Sequence, residues 1–508
     1  MTNARQSALH LAILLSFSPF ASAVDYVYTT GNYVPGVTAP EPLGADDTLL
    51  ITTGGTKIFN GVTFTNLGTV NWNADSLFLQ SGTQVLNGGA WNIGGDLTLI
   101  NNGGTTPTFS NTGVFRKTAG SGAAQIGSLA FINSGIIEAQ AGTIDFTSAN
   151  ATFNAGSQFT GAGTTRILAG ATFNGALTST NLQLTGGTFS GGGAVINGDV
   201  DFTGGTFSGT WTIAADQVLH GVTGGSKILS GATLTNLGTF NWETTDSLFL
   251  QSGTDLDNQG TFHAAESVTI VNNGGTLPTF ENNGVLSVAA GKTLSMGTVQ
   301  FINNATIDVE GELALNGNNA TFNAGSQFTG TGVVAVNTNA TFNGAITASP
   351  TLSLRGGIFT GANDFSIGGN PEFLGGTITG QWTLAAGQTL TARDGASKIL
   401  SGAAFTNLGT FNWETGNSLF LQSATDFDNQ GTFHAAESMT IVNNGGTLPT
   451  FENNGVLSVA AGKTLSMGTV EFINNATIDV EGELALNGNN ATFNAGSQFT
   501  GTGVVAVN

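Results

Sequence analysis

The chain has 508 residues, of which 32 are Asp or Glu and 11 are Lys or Arg, for a formal net charge of −21 at pH 7. Because nucleic acids and anionic lipids are bound through Lys and Arg side chains that neutralise phosphates, this charge excludes both as partners. Cysteine is absent while 76 residues are Gly and 35 are Phe, so stability must come from packing and backbone pairing rather than from disulfides.

Residues 1–23 have the pattern of a secretory signal peptide. Arg5 supplies the positive charge, 11–20 is a short apolar run, and Ala21-Ser22-Ala23 is a cleavage site between small residues. The run is too short for a membrane helix, which needs roughly 18 apolar residues, and no other segment approaches that length. A retained membrane anchor is the alternative interpretation. We therefore expect a mature chain that begins at Val24, is exported across the inner membrane, and resides at the outer cell surface or outside the cell.

Residues 24–56 differ in composition from the remainder of the chain. They hold all three tyrosines, Tyr26, Tyr28 and Tyr33, and three of the nine prolines. Because the end of a repeat fold exposes apolar side chains and unpaired backbone groups, an atypical segment there indicates an N-terminal cap. A flexible linker is the alternative.

Three long repeats follow the cap, and each begins with a Lys-Ile pair, at Lys57, Lys227 and Lys398. They divide the chain into unit one (57–226), unit two (227–397) and unit three (398–508), which stops partway through the repeat. That early stop predicts a fragment of a longer product that carries the anchor or translocator. Between 238–337 and 409–508 only six positions differ: Thr245/Gly416, Asp246/Asn417, Gly253/Ala424, Leu256/Phe427, Val268/Met439 and Gln300/Glu471.

A shorter repeat, apolar-x-Asn-x-Gly/Ala-x-apolar, recurs four times in each unit. Its asparagines, 21 to 24 residues apart, are Asn66, Asn87, Asn111 and Asn133 in unit one, Asn236, Asn258, Asn282 and Asn303 in unit two, and Asn407, Asn429, Asn453 and Asn474 in unit three. A period of about 21 residues with strand-forming sequence predicts an all-β, single-stranded parallel β-helix (β-solenoid). Stacked coils could align the asparagines in an amide ladder, and independent turn residues are the alternative.

These apolar-x-Asn-x-Gly-Thr-apolar coils, together with Gly186-Gly187-Thr188-Phe189-Ser190-Gly191, resemble the β-helical regions of bacterial surface proteins. The similar families are autotransporter passengers, filamentous-haemagglutinin-like adhesins and related β-strand-repeat proteins. The resemblance extends over 45–508. It implies a right-handed β-helix displayed on or released from the cell surface and used for attachment.

Candidate chemistry is sparse. The acidic groups Asp308/Glu310/Glu312, repeated at Asp479/Glu481/Glu483, and Asp255/Asp257, repeated at Asp426/Asp428, are weak calcium candidates, and a solvated acidic face is the favoured interpretation. The mature histidines are scattered, and nucleophile and phosphate-loop motifs are absent from the sequence. Trp72, Trp242 and Trp413 recur at one repeat position and would stack on sugars if exposed, although core packing is favoured.

We therefore expect a secreted or cell-surface rod that is not an enzyme, requires no cofactor, and acts as an adhesin or a structural stalk. Its partners are unidentified, and glycans or a host or neighbouring cell surface are candidates. The alternative is a carbohydrate-active β-helix protein, either a polysaccharide lyase or hydrolase or a glycan binder. Such an enzyme needs converging carboxylates or a positioned base in one cleft.

Overall fold

The computed structural model describes residues 23–508 except for 349–350, 363–365, 368 and 488–490. The signal peptide predicted for residues 1–23 therefore lies outside the described residues, apart from Ala23. The described chain is a parallel β-solenoid of about 23 turns with about 21 residues in each coil, which confirms the predicted fold class. No membrane-spanning helix is present among the residues described.

Most strands have four residues, because the chain must turn between the faces of each coil. The cap and unit one contain the strands Asp25–Tyr28, Gly31–Asn32, Thr48–Ile51, Lys57–Asn60, Thr63–Asn66, Thr69–Trp72, Leu77–Gln80, Gln84–Asn87, Ala90–Ile93, Thr98–Asn101, Thr108–Asn111, Val114–Lys117, Ala123–Gly127, Ala130–Asn133, Ile136–Ala139, Thr143–Phe146, Ala151–Asn154, Gln158–Thr160, Thr164–Ile167, Gly170–Asn174, Ala176–Leu184, Thr188–Phe202, Gly205–Ile213 and Val218–Gly221.

The second and third units repeat this arrangement. Unit two contains Lys227–Asn236, Thr239–Trp242, Leu248–Gln251, Asp255–Asn258, Thr261–Ala264, Val268–Asn272, Thr279–Asn282, Val285–Val288, Thr293–Met296, Gln300–Asn303, Thr306–Val309, Glu312–Leu315, Ala320–Phe322, Gln327–Thr329, Val333–Val336, Ala340–Phe342, Thr347–Ala348, Thr351–Leu354, Ile358–Gly361, Ser366–Ile367, Glu372–Phe373, Gly376–Leu384 and Thr389–Ala392. Unit three contains Lys398–Asn407, Thr410–Trp413, Leu419–Gln422, Asp426–Asn429, Thr432–Ala435, Met439–Asn443, Thr450–Asn453, Val456–Val459, Thr464–Met467, Glu471–Asn474, Thr477–Val480, Glu483–Leu486, Ala491–Phe493, Gln498–Thr500 and Val504–Val507.

The core runs along the inside of the solenoid and is built from alternate residues of the strands. In Asp255–Asn258, for example, Leu256 and Asn258 are buried while Asp255 is exposed. Phenylalanines on successive coils stack on one another, as Phe427 does on Phe451 with ring centroids 4.8 Å apart and planes 7° apart. Because one coil cannot bury these side chains alone, each coil depends on its neighbours for its hydrophobic stabilisation.

Glycine lets successive coils approach closely at the turn that follows most of the buried asparagines, while Ala305 and Ala476 occupy this position after Asn303 and Asn474. A Cβ atom at Gly260 would lie 2.1 Å from the carbonyl oxygen of Gly238 in the preceding coil. A side chain would overlap backbone there, so the sequence places Gly at this position in consecutive coils.

Residues 24–56 pack onto the first coil. Asp25–Tyr28 pairs in parallel with Thr48–Ile51, and the buried ring of Tyr33 stacks on Phe59 at 4.5 Å between centroids. The aromatic side chains of this segment therefore continue the core of the solenoid.

The units join without a break in the sheet. Gly205–Ile213 pairs with Lys227–Asn236, and Gly376–Leu384 pairs with Lys398–Asn407. Both pairings begin in the same register, at Gly205 with Lys227 and at Gly376 with Lys398, and both contain an irregularity after the third pair. The start of unit three thus occupies the same structural environment as the start of unit two.

Candidate functional site

The twelve asparagines singled out from the repeat form three buried amide ladders, one in each unit. In unit two, Asn236 Nδ2 donates to Asn258 Oδ1, Asn258 Nδ2 to Asn282 Oδ1, and Asn282 Nδ2 to Asn303 Oδ1, each at 2.7 Å. The second amide hydrogen is also used, as in the 2.9 Å bond from Asn282 Nδ2 to the carbonyl oxygen of Thr306. The other ladders are Asn66-Asn87-Asn111-Asn133 and Asn407-Asn429-Asn453-Asn474.

Each ladder has a direction, because each amide but the last donates to the next asparagine toward the C-terminal end of the solenoid, while Asn303 and Asn474 donate to the carbonyl oxygens of Ala305 and Ala476. The Oδ1 atoms of the first members, Asn66, Asn236 and Asn407, are buried and have no donor among the described residues. The last member of unit one, Asn133, donates to Ser157 Oγ at 3.0 Å. The buried ladders are thus internal to the fold, and they stabilise coil stacking rather than offering a ligand site.

The repeated tryptophans are buried, as the favoured core-packing interpretation expected, so the alternative of glycan stacking does not hold for them. Trp72, Trp242 and Trp413 each have 0% exposure. The indole N–H of Trp242 donates to the carbonyl oxygen of Asp246 at 3.1 Å. Since stacking on a sugar needs an exposed ring face, these residues pack the core instead.

Beside these tryptophans the structure buries lysines that the sequence analysis used only as repeat markers. Lys57, Lys227 and Lys398 are 0% exposed. Lys227 Nζ lies 2.9 Å from Asp246 Oδ2 and 5.8 Å from the centre of the Trp242 ring. Lys57 forms the same ion pair with Asp75 at 2.7 Å. A buried ammonium group needs such a partner because removing it from water costs several kcal/mol.

Unit three lacks the acidic partner, because Asn417 stands where unit two has Asp246. Lys398 Nζ donates instead to the carbonyl oxygens of Leu374 and Ala396, at 3.2 and 3.3 Å. Burial lowers the pKa of Lys398 below its ordinary value of 10.5, and the charge of Asp394 only partly opposes this. The charged ammonium group of Lys398 is therefore less stabilised in unit three than that of Lys227 in unit two.

Exchanging the two partners tests this difference. Asn417→Asp should stabilise the strand Lys398–Asn407 by about 1 kcal/mol, the worth of a charged hydrogen bond discounted for the partly exposed carboxylate. Asp246→Asn should destabilise Lys227–Asn236 by a similar amount. Amide hydrogen exchange measured separately for the two strands reports both effects.

The pH dependence should change as well. Between the lowered pKa of Lys398 and 10.5, the unfolded chain binds more protons than the folded chain, so the stability of Lys398–Asn407 rises with pH. Asn417→Asp should flatten this rise. An Asn417→Asp variant that slowed exchange equally in both strands, or that left the pH dependence unchanged, would contradict the assignment.

The first acidic candidate is an outward-facing group of three carboxylates. Asp257 and Glu281 are register partners on neighbouring coils. Partial desolvation of the Asp255 carboxyl, together with the charges of Asp257 and Glu281, raises the pKa of Asp255. The oxygens of Asp257 accept hydrogen bonds from Gln259 Nε2 at 2.7 Å and Asn283 Nδ2 at 2.8 Å. The same arrangement recurs at Asp426, Asp428 and Glu452.

The weak calcium candidates Asp308, Glu310 and Glu312 use their carboxylates to join coils. Asp308 Oδ1 accepts from Thr329 Oγ1 at 2.7 Å, and Glu310 Oε2 accepts from Thr331 Oγ1 at 2.6 Å. Glu312 forms an ion pair with Arg355 at 2.9 Å. Over the described part of the chain, no group of three or more His, Cys, Asp or Glu side chains could hold a metal ion.

The mature histidines are separated along the solenoid. His263 and His434 each contact a serine one coil away, at 3.1 Å, and His220 lies 2.9 Å from Glu243. None of these contacts joins a histidine to a second histidine.

Comparison of the chain with protein-family models, with curated proteins and with solved structures gives no match in any of the three.

Proposed function

We propose that the chain is a non-enzymatic β-helical rod, displayed on or released from a cell surface, that serves adhesion or acts as a structural stalk. The main observation that supports the proposal is that many polar side chains form hydrogen bonds or ion pairs between neighbouring coils. Buried asparagines, lysines and many outward carboxylates bond to the neighbouring coil, as in the Asn258–Asn282 and Lys227–Asp246 contacts. Side chains used in this way stabilise the stacking of coils into a rod. In an enzyme, by contrast, polar side chains converge on one reaction centre.

The repeat composition and the predicted signal peptide support export, and the resemblance to bacterial surface β-helices supports display. Because residues 238–337 and 409–508 are nearly identical, units two and three present most of the same outward side chains at two places along the rod. Weak contacts made at both places add to a strong overall attachment when the linked sites can be engaged together.

The proposal is tested with the purified full chain and antibodies raised against it. The antibodies should label intact source cells, and the chain immobilised on beads should retain cells or extracellular polysaccharide. Release of new reducing ends or unsaturated sugars from a polysaccharide panel, above a heat-inactivated control, would overturn the non-enzymatic assignment.

A hydrolase is the second candidate, and the raised pKa of Asp255 beside Asp257 and Glu281 is the observation that favours it. A carboxyl group of raised pKa beside a second carboxyl group is a pairing that glycoside cleavage uses. If polysaccharide turnover is found, an Asp255→Asn and Asp426→Asn double variant should abolish it, since unit three repeats the group.

A further inference from the structure

One outward face of unit two carries an array of uncharged side chains, most of them polar. It is formed by the stacked strands Gln300–Asn303, Ala320–Phe322, Ala340–Phe342 and Ile358–Gly361, and the preceding strand Thr279–Asn282 places Glu281 beside Ile302 at its edge. The register aligns the outward residues of these strands in two columns parallel to the solenoid axis. The first column is Gln300, Asn319, Asn339 and Ile358, and the second is Ile302, Thr321, Thr341 and Thr360.

Two depressions on this face meet at Asn319. One has a volume of about 330 Å³ and is lined by Leu277, Gln300, Asn318 and Asn319. The other has a volume of about 210 Å³ and is lined by Asn319, Asn339, Ala340, Thr341, Ile358 and Thr360. Together they form a cleft, called here the Asn319 cleft, whose lining residues carry no charge.

The two sides of the Asn319 cleft differ in how their polar groups are used. Asn339 Oδ1 accepts from the backbone N–H of Ile358 at 2.8 Å, and the hydroxyls of Thr360 and Thr379 lie 3.0 Å apart. The side chains of Gln300, Asn318 and Asn319 make no hydrogen bond to another residue within the described part of the chain. Those amides keep their donors and acceptors for a ligand.

Exposed aliphatic side chains stand at the two ends of the cleft. Leu277 is 41% exposed and Ile358 is 47% exposed. From Gln300 to Ile358 the cleft crosses three coil steps, or about 14 Å at the parallel-strand spacing. A ligand that fits this arrangement is extended, carries hydroxyl or amide groups along its length, and has apolar faces between them.

We propose that the Asn319 cleft binds a neutral linear glycan whose chain runs along the solenoid axis. Sugar hydroxyls both donate and accept hydrogen bonds, as the side-chain amides do. A polyanion is disfavoured because no Lys or Arg lines the cleft and the chain has a net charge of −21. The proposal goes beyond the rod function, since it assigns a class of ligand to one surface of the solenoid.

The other units provide natural variants of the site. In unit one, Ala130 and Ala149 occupy the positions of Gln300 and Asn318, and in unit three Glu471 replaces Gln300. Unit two alone thus combines both amides with the exposed Ile358. Because Ala130 and Ala149 are accommodated by the same coils in unit one, Gln300→Ala with Asn318→Ala is a substitution that the fold tolerates.

The experiment measures binding of neutral linear hexasaccharides of glucose, galactose, mannose and N-acetylglucosamine to the full chain by calorimetry and by NMR titration. At least one should bind, and the Gln300→Ala/Asn318→Ala variant should weaken that binding at least about tenfold, the effect of losing one to two hydrogen bonds. Gln327→Ala, on another face of a neighbouring coil, is the matched control and should leave binding unchanged.

Three results would overturn the proposal. The first is the absence of hexasaccharide binding at concentrations up to about 10 mM, where even very weak sites are occupied. The second is equal affinity of the double variant and the wild type for the hexasaccharide. The third is binding of the anionic polymer polygalacturonate that is as tight as, or tighter than, that of the neutral hexasaccharides. Failure of the rod function would be recognised separately, by the cell-retention and turnover assays, which do not depend on this cleft.

Discussion

Asn282→Asp should lower the free energy of unfolding by about 3–5 kcal/mol at neutral pH, the cost of a buried charge without a partner. The substitution keeps the shape of the side chain but replaces the N–H donor with an oxygen. That oxygen would face Asn303 Oδ1 at 2.7 Å and the carbonyl oxygen of Thr306 at 2.9 Å. Asn282 is 0% exposed, so water cannot solvate the new carboxylate.

The destabilisation should depend on pH with a definite sign. Burial among acceptors raises the pKa of the new carboxyl above that of an unfolded aspartate, so the folded chain binds the extra proton first. Stability is therefore regained as pH falls through the raised pKa and is lost again as pH rises. Urea unfolding followed by circular dichroism, with hydrogen exchange of Thr279–Asn282 as the local readout, measures both effects.

The adjacent Asn283 provides the control. Its amide also bridges coils, to Asp257 Oδ1 at 2.8 Å and from Asn304 Nδ2 at 2.7 Å, but on the exposed face. Asn283→Asp loses the bond to Asp257 and places two carboxylates side by side, but it should cost only about 1 kcal/mol because water screens both charges. If the two substitutions cost the same at pH 7, the buried ladder contributes no more than independent turn residues would.

Deletion of residues 227–397 should shorten the rod by eight coils, or about 38 Å at the parallel-strand spacing, without unfolding it. The deletion joins Ser226 to Lys398, and Gly205–Ile213 would then receive Lys398–Asn407 in the register that Lys227–Asn236 has now. Small-angle scattering should report the shorter length, and circular dichroism should report an unchanged β signal per residue.

A deletion of 227–386 is the matched control, because it removes about half a coil less. The junction would bring the chain back to the sheet on the wrong face of the coil, so inward and outward residues would be exchanged there. This control should lose β signal and expose apolar surface near the junction. If the two deletions gave the same β signal per residue and the same apolar exposure, the idea that each coil is stabilised by correct register with its neighbour would be refuted.

The coil period and the recurrence of asparagine at each turn could be predicted because they depend on local rules, whereas the sequence does not decide between an amide ladder and independent turn residues. Gly and Asn permit the turn, alternating apolar residues define the inward face, and the repeat distance aligns Asn258 with Asn282. The handedness and the division into three units remain predictions that rest on the resemblance and on the repeat itself.

The buried lysines could not be predicted from local sequence, because Lys is ordinarily exposed. Burial of Lys227 is decided by Asp246, which belongs to the next coil, and by the Trp242 ring. The available signal was the joint recurrence of Lys, Trp and Asp in units one and two. The same coil-to-coil packing explains why the tryptophans are buried.

The Asn319 cleft was missed because it depends on register. Asn319, Asn339 and Ile358 are 20 and 19 residues apart in sequence and adjoin only when Ala320 pairs with Ala340 and Ala340 with Phe359. The repeat motif around them differs from that of the ladder coils, so the sequence pattern did not place them together.

The parallel pairing of successive coils also determines how the rod responds to tension. The hydrogen bonds between coils lie along the long axis, so a pull on the two ends loads them in the direction in which they open. Each coil that opens replaces about 4.8 Å of rod with about 70 Å of extended chain. A rod that tethers a cell would lengthen stepwise under load and would dissipate the applied work one coil at a time.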